Sequence, residues 1–321
     1  MSILIYAEYA EGKFKKVAFE LASYAKKVAE TLGTTVTAVT VNAGDVSELA
    51  RYGVDKVLKV NNDKLSGFTA KAYADVIKQA AVKENVKLVL LSSTTDSVYL
   101  SSLVAVALEA GYASNVVGLP ISTTPFLVKR NAFSNKAFNT TEIETEIKVL
   151  GLAKNSYGIF ETPSTLTEED FNPTIGENDF GVKVESVEKG SGKVSIADAD
   201  IVVSAGRGLK GPENWKMVED LASVLGAATA CSKPVSDLGW RPHGEHVGQT
   251  GKPVATNLYI AIGISGAIQH IAGVNSSKVK VVINSDPEAP FFKVADYGIV
   301  GDAFEIIPQL IEKFKAFKAQ N

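Results

Sequence analysis

Apolar residues recur with two different periods in the first 40 residues. The run from Ser2 to Ala7 predicts a short buried strand, and the β-branched run from Thr35 to Val41 predicts a second one. Between them apolar residues fall at helical spacing, and Gly33 ends the predicted helix. The spaced residues are Val17, Leu21, Tyr24, Ala25, Val28 and Leu32. This order indicates an α/β domain.

The alternation of helix and strand patterns continues to about residue 110. Amphipathic spacing predicts helices over 70–81 and 99–108, with a buried strand over 86–91 between them. Beyond Pro125 the apolar runs become short and alternating, which is typical of antiparallel strands. These runs are 126–130, 137–141 and 147–153. We therefore expect an antiparallel extension of the first sheet.

A change of composition separates the two halves of the chain. The segment 162–192 is rich in Pro, Gly, Asn, Glu and Ser and has few apolar residues in register, which is typical of a domain boundary. We place the boundary near Val187, giving domains 1–187 and 188–321. The second domain reads as a doubly wound parallel sheet. Its predicted elements are strand 199–204, helix 213–225, strand 228–232, strand 258–262, helix 266–271, strands 279–284 and 297–300, and helix 304–317.

Composition and charge exclude several classes of partner. The 321 residues are 45% hydrophobic and 21% charged, which is enough apolar material for two domains. The net charge of −3 offers no broad basic surface, so we expect neither nucleic acid nor an anionic membrane as a partner. The apolar window 258–274 contains glycines and polar residues and predicts a strand, a turn and a helix instead of a membrane span. The single cysteine, Cys231, and the absence of a secretory pattern in the first residues favour a soluble cytoplasmic protein.

The candidate chemistry lies after Asp200. All three histidines, both tryptophans, the cysteine and 13 of the 26 glycines occur there. Two predicted strands end in glycine-bearing turns, 206–208 and 263–266. Ligands of open α/β sheets bind at such strand ends, where Gly206, Gly208 and Gly266 would let backbone approach a phosphate and Arg207 would add a charge. Neither turn matches the G-x-G-x-x-G or Walker patterns, and glycines that only permit tight packing are the alternative.

The segment from Cys231 to Pro253 predicts a long functional loop without regular structure. The spacing of His243, Glu245 and His246 matches no standard metal site, which favours surface histidines. Ser265 lacks the second glycine of the G-x-S-x-G hydrolase pattern. From its position alone, His270 either faces what the preceding turn holds or is a structural residue.

The string from Leu258 to Gly273, LYIAIGISGAIQHIAG, closely resembles the signature of the α subunit of electron transfer flavoproteins. The same family order is present on both sides of it, at 206–208, 232–233, 237–240, 247–252, 283–287 and 295–302. The resemblance implies an adenine-nucleotide-hydrolase-like N-terminal domain, a C-terminal FAD-binding domain and a β subunit that completes a heterodimer. Such a protein is an electron carrier without catalytic residues of its own. It accepts electrons from flavin dehydrogenases, such as the acyl-CoA dehydrogenases of fatty-acid β-oxidation, and passes them to a quinone reductase.

The resemblance also implies which residues bind the cofactor. Arg207, Ser265 and Gly266 would lie along the FAD phosphates and ribityl chain, Gln249 and Thr250 near the flavin, His270 at its C2 carbonyl, and Asn284 and Asp302 at the adenosine end. The other implied cofactor-binding residues are Gly208, Ser232, Lys233, His246, Gly263 and Gln269. A cation near flavin N1 and the C2 carbonyl would stabilise negative charge there, and Lys233 and His270 are the groups implied for this role.

This sequence departs from the family at three positions in this half of the chain. Lys233 stands where the family usually has Arg, His246 where Gln is usual, and Val274 where Met is usual. Lysine keeps the charge but loses the planar fork of arginine. The alternatives are a stand-alone dinucleotide oxidoreductase, an electron-bifurcating variant that uses NADH, and an interaction subunit that no longer binds flavin.

Overall fold

The computed structural model describes residues 2–133, 135–182, 184–186, 196 and 199–320. Contacts divide the chain into two compact units, one of residues 1–133 and 137–188 and the other of residues 134–136 and 189–321. The predicted boundary at Val187 lies outside the described residues. Within the described ranges we find no helix long and apolar enough to cross a membrane.

The first unit is an α/β sheet domain. Its elements in chain order are β1 (Ser2–Tyr6), β2 (Tyr9–Ala10), β3 (Lys13–Phe14), α1 (Lys16–Leu32), β4 (Thr35–Val41), β5 (Lys56–Val60), α2 (Ala70–Lys83), β6 (Leu88–Ser92), α3 (Thr95–Ala107), β7 (Gly111–Val116), β8 (Ser122–Thr123), β9 (Phe126–Ala132), β10 (Ala137–Glu142), β11 (Lys148–Leu152) and β12 (Thr167–Asp170). The strand order in its main sheet is β10-β9-β7-β11-β6-β1-β4-β5-β12, and β8 pairs with β9. One apolar core lies on each face.

The predicted strand–helix–strand start is confirmed. β1 pairs in parallel with β4, and Gly33 ends α1 in the left-handed conformation with φ 62°. Helix α3 begins at Thr95, four residues before the prediction, because the Thr94 side chain caps it by accepting a hydrogen bond from the Ser97 amide at 3.2 Å.

The antiparallel extension is only partly as predicted. β9 and β10 are antiparallel, as expected, but β11 is parallel to β6 and β7 and lies between them. Four of its five residues are buried, which is typical of a parallel strand covered on both faces. Inside the Pro- and Gly-rich segment, β12 pairs with β5 at the sheet edge, so that segment is not entirely linker.

The second unit confirms the predicted doubly wound parallel sheet. Its elements are β13 (Ile201–Ala205), α4 (Lys216–Leu225), β14 (Ala228–Cys231), α5 (Lys233–Asp237), β15 (Leu258–Ile262), α6 (Ile268–Val274), β16 (Val279–Asn284), β17 (Tyr297–Val300) and α7 (Ala303–Gln320). The strand order is β14-β13-β15-β16-β17, and every neighbouring pair is parallel. α4 and α7 pack on one face, and Val274 of α6 belongs to the core of the other.

Two predictions for this unit need correction. The loop after β14 is not irregular throughout, because Lys233–Asp237 forms the short helix α5 with Pro234 in its first turn. Helix α6 begins at Ile268 and not at Gly266, since Gly266 adopts φ +85° and belongs to the preceding turn.

Candidate functional site

Several of the residues singled out in the second unit lie at one edge of its sheet. Gly206, Ser232, Gly263 and Gly301 each follow directly after one of four parallel strands, and Asn284 is the last residue of the fifth. Because all five strands run the same way, these positions share the carboxyl edge. This edge is where open α/β sheets bind their ligands.

The two glycine-bearing turns pack directly against each other. The Gly208 amide donates to the Gly263 carbonyl oxygen at 3.1 Å, and the Gly206 amide donates to the Ile262 oxygen at 2.9 Å. A Cβ at Gly206 would lie 2.3 Å from the Gly263 oxygen, and one at Gly208 would lie 2.6 Å from the Gly263 Cα. Tight packing of backbone on backbone therefore accounts for these glycines without a ligand.

Gly266 has the same kind of explanation. At φ +85°, its Cβ position would lie 2.5 Å from the amide nitrogen of Phe291. That amide donates to the Ser265 carbonyl oxygen at 3.0 Å, so the turn is fastened to the segment after β16. The side chains of Ser265 and Arg207 are exposed at the edge.

The loop 231–253 is held against β14 and α6. The Val247 amide donates to the Cys231 carbonyl at 3.0 Å, and the Gln249 amide donates to the Gln269 carbonyl at 2.8 Å. A Cβ at Gly273 would lie 2.5 Å from the Gly248 Cα, which shows how closely the loop approaches the helix. Gln249 and its neighbour Thr250 are nevertheless exposed.

A buried ionic network fixes the middle of this loop. Arg241 donates to both carboxylate oxygens of Glu245, at 2.8 and 2.6 Å, and to Glu219 of α4 at 3.1 Å. Its guanidinium carbon lies 5.4 Å from the Trp215 ring centroid. The side chains of Arg241 and Glu245 are only 14% and 11% exposed. This network was not predicted from the sequence, although the four-residue spacing of Arg241 and Glu245 is a signal for it.

His270 is buried at the start of α6. Its Nε2 lies 2.9 Å from the hydroxyl oxygen of Tyr259, and its Nδ1 is buried without a hydrogen-bond partner among the described residues. Burial, and then the neighbouring His246, lower the pKa of His270 to about 4. The imidazole is therefore neutral at pH 7. The ring of Tyr259 is parallel to that of Phe291. The contact of Tyr259 with His270 was not predicted, because a tyrosine within a buried strand indicates only core packing.

The prediction of surface histidines is right for His243 and wrong for His246. His243 is exposed, whereas His246 is 2% exposed and its Nδ1 has no hydrogen-bond partner in the described part of the chain. The backbone of His246 pairs with that of Cys231 at the end of β14, and this pairing accounts for the burial of the His246 side chain. Burial, followed by His243 and Lys233, lowers the pKa of His246. Over the residues that the structure describes, no group of three or more His, Cys, Asp or Glu could hold a metal.

Three other predicted residues make contacts within the chain. Lys233 Nζ lies 2.8 Å from Asp237, and its hydrogen bond lowers the pKa of that carboxyl. Asn284 donates to the Ile264 carbonyl at 3.1 Å and accepts from the Asp286 amide at 3.0 Å. Asp302 accepts from the Phe304 amide at 2.9 Å at the start of α7. Each of these side chains therefore has a structural role at the edge.

Comparison with known proteins finds two family matches. Residues 195–275 match the family described as the electron transfer flavoprotein FAD-binding domain, and residues 3–172 match the electron transfer flavoprotein domain. The electron transfer flavoprotein subunit alpha of Thermoanaerobacterium thermosaccharolyticum is 37% identical over 98% of this chain and 98% of its own length. That of Bacillus subtilis is 34% identical over 98% and 97%. The subunit LctC of the lactate dehydrogenase (NAD(+),ferredoxin) of Acetobacterium woodii is 30% identical over 96% of this chain and 76% of its own length.

Proposed function

Because the chain belongs to the electron transfer flavoprotein α-subunit family, we propose that it is the FAD-carrying subunit of a cytoplasmic heterodimer with a β subunit. This heterodimer accepts electrons from dehydrogenases such as those of acyl-CoA and delivers them to a quinone reductase. The family match gives the electron-transfer role and the FAD-binding domain. The β partner of this chain, the donors and the acceptor are our proposal.

The exposed groups at the carboxyl edge suit a dinucleotide cofactor. Arg207 supplies a permanent positive charge beside the turn 263–266, where Ser265 adds a hydroxyl. Gln249 and Thr250 supply further donors on the loop that is fastened to α6. Ser232, Gly263 and Gln269 lie at the same edge or at the start of α6. Together these groups offer charge and hydrogen bonds to phosphate at one end and to a polar ring at the other.

The observation that carries the proposal is the match of residues 195–275 to the FAD-binding domain, together with the exposed Arg207 and Ser265 at the carboxyl edge of its sheet. A fixed positive charge and a hydroxyl at such an edge suit the phosphates of a dinucleotide. The residues present therefore fit FAD, which, when bound, supplies two-electron acceptance and one-electron donation.

The charges of two site residues bear on how they would act on the cofactor. Burial lowers the pKa of His270 to about 4, which favours a neutral imidazole that donates or accepts a hydrogen bond. Lys233 is positively charged, but Asp237 compensates it at 2.8 Å. Since a compensated charge has a weak field at longer range, we expect the Lys233–Asp237 pair to limit the stabilisation of negative charge on the cofactor.

Cofactor content tests the proposal. The chain is co-expressed with a candidate β subunit, and FAD is counted after denaturation; one FAD per heterodimer is expected. Ser265→Ala is expected to weaken FAD retention, whereas the matched control Ser223→Ala, which alters an exposed serine near the carboxyl end of α4, is not. A colourless complex, or equal FAD loss in both variants, contradicts the proposal.

The compensated charge has its own test. Asp237→Asn removes the counter-charge of Lys233, and we expect the midpoint potential of the bound flavin to rise because the freed cation favours the more negative reduced state. Asp220→Asn is the matched control, since Asp220 pairs with Lys216 at the same 2.8 Å and the same four-residue spacing on α4. Equal potentials in parent and Asp237→Asn would place Lys233 outside the reach of the flavin.

The similarity to LctC favours a second candidate, an NADH-linked bifurcating complex. The two candidates differ in their reductant. Reduction of the purified heterodimer by an acyl-CoA dehydrogenase with its substrate, and not by NADH, supports the simple carrier. Reduction by NADH, coupled to ferredoxin, supports the bifurcating complex.

A further inference from the structure

The strand order of the first unit has a switch point of the kind at which open α/β sheets bind ligands. From β1 the chain continues to β4 and β5 on one side, and then crosses to β6 on the other side of β1. The order of strands therefore reverses between the carboxyl ends of β1 and β6. Open α/β sheets bind ligands in the crevice at such a point. This feature lies in the N-terminal unit and is independent of the FAD-binding function proposed above.

A buried carboxylate occupies this crevice. Glu8 follows β1, and its side chain is only 5% exposed. Its Oε1 accepts hydrogen bonds from Thr94 Oγ1 and Ser97 Oγ, both at 2.7 Å, and from Ser92 Oγ. Its Oε2 accepts from Lys15 Nζ at 2.8 Å. Four residues from three segments thus converge on a single anionic group.

The groups around Glu8 are those that proteins use for phosphate. Ser92 ends β6, Thr94 caps α3, and Ser97 lies in the first turn of that 13-residue helix, where the helix dipole favours negative charge. The Lys15 ammonium completes the set. Burial alone would raise the pKa of Glu8, but the charge of Lys15 and the hydrogen bonds outweigh it and hold the pKa below its ordinary value. The crevice therefore favours an anion.

We propose that the crevice between β1 and β6 is an anion site that the chain fills with its own Glu8 carboxylate. The hairpin formed by β2 and β3 connects Glu8 to Lys15, whose amide donates to the Glu8 carbonyl at 2.9 Å, so the same segment brings both the anion and its counter-ion. In the native protein the internal carboxylate excludes phosphate-bearing ligands. Removal of the carboxylate leaves the hydroxyl donors and the ammonium for an external oxyanion.

Glu8→Ala tests this inference with inorganic phosphate as the probe. The full-length chain, purified as it is expressed, is melted in phosphate and in chloride at equal ionic strength. We expect phosphate at ten times its dissociation constant to raise the melting temperature of Glu8→Ala by about 3 to 6 °C. We expect no such shift in three controls: the parent, Glu8→Gln and Glu144→Ala. In Glu8→Gln the amide still fills the crevice, and Glu144→Ala removes an exposed carboxylate of the same unit.

The melting temperatures in phosphate and in chloride decide whether the crevice is an anion site. Phosphate stabilisation confined to Glu8→Ala supports it, whereas no stabilisation, or the same stabilisation in the parent, overturns it. If Glu8→Ala does not fold in chloride, it is refolded from urea in both salts. Recovery of the native fold in phosphate alone supports the internal-anion assignment, and failure in both salts overturns it.

Discussion

Arg241→Ala is expected to destabilise the second unit strongly. The substitution removes two charge-assisted hydrogen bonds to Glu245 and one to Glu219, together with the contact on Trp215. The Glu245 carboxylate, 11% exposed, then remains at its site without this counter-charge. Breaking a buried ion pair by removing one partner costs about 3 to 5 kcal/mol. Because Arg241 also fastens the loop that carries Gln249 and Thr250, we expect FAD retention to fall as well.

Two further variants separate the parts of this effect. Glu219 is 44% exposed, so Glu219→Ala is expected to cost about 1 kcal/mol or less. Arg241→Lys keeps the charge but cannot make the two parallel bonds to Glu245, and we expect it to cost about 1.5 to 3 kcal/mol. The expected order of destabilisation is therefore Arg241→Ala, then Arg241→Lys, then Glu219→Ala.

Urea unfolding followed by tryptophan fluorescence measures these differences. Both tryptophans of the chain, Trp215 and Trp240, belong to the second unit, so the signal of the chain reports on that unit alone. The free energy of unfolding is obtained from the midpoint and slope of each transition. A value for Arg241→Ala within 1 kcal/mol of the parent, or one no larger than that for Glu219→Ala, would refute the assignment of the network as the anchor of the loop.

Three other predictions follow from burial. Burial raises the pKa of the Cys231 thiol to about 12, so we expect a disulfide reagent at pH 8 to label it only after unfolding; rapid labelling of the native chain would contradict this. The pKa of His270 is about 4 in the folded chain and about 6.5 in the unfolded chain, so the unfolded chain binds the proton first as the pH falls. We therefore expect the free energy of unfolding to fall by about 3 kcal/mol between pH 6.5 and pH 4. Urea midpoints measured against pH should show this slope in the parent and a smaller one in His270→Gln. Gly208→Ala is expected to cost about 1 to 3 kcal/mol because its Cβ would meet the Gly263 backbone, whereas Gly244→Ala, with only the Lys252 Nζ at 3.9 Å, should leave the urea midpoint nearly unchanged.

Local periodicity was sufficient for most of the fold. It predicted the strands of the second unit and their parallel arrangement, because each buried strand is followed by an amphipathic helix or a glycine-bearing turn. It was wrong for β11, since a short apolar run does not reveal which strands will flank it. The membership of β12 in the first sheet was missed for a similar reason, because its four residues are polar and lie at an edge.

The charge of a site residue depends on partners that local patterns do not identify. Lys233 and His270 were both implied as cations, yet Lys233 pairs with Asp237, and burial lowers the pKa of His270 to about 4. Glu8, in contrast, is a buried residue whose negative charge the fold stabilises. A glutamate after an apolar strand predicts the end of the strand and solvent exposure, and only the fold brings the hydroxyls of Ser92, Thr94 and Ser97 to it.

The two glycine-bearing turns, 206–208 and 263–266, do not match the G-x-G-x-x-G pattern, and their contact with each other explains why. The sequence left two reasons for Gly206 and Gly208, a ligand that needs close approach and tight packing of the backbone. The structure supports tight packing, because the backbone of Gly263 in a second turn, 55 residues after Gly208, contacts both of them. Glycine is needed here because the neighbouring strands β13 and β15 end side by side and their following turns touch. This contact restricts both turns together, so neither turn needs the G-x-G-x-x-G spacing. We therefore expect phosphate binding at this edge to depend on the exposed Arg207 and Ser265, not on the glycines themselves.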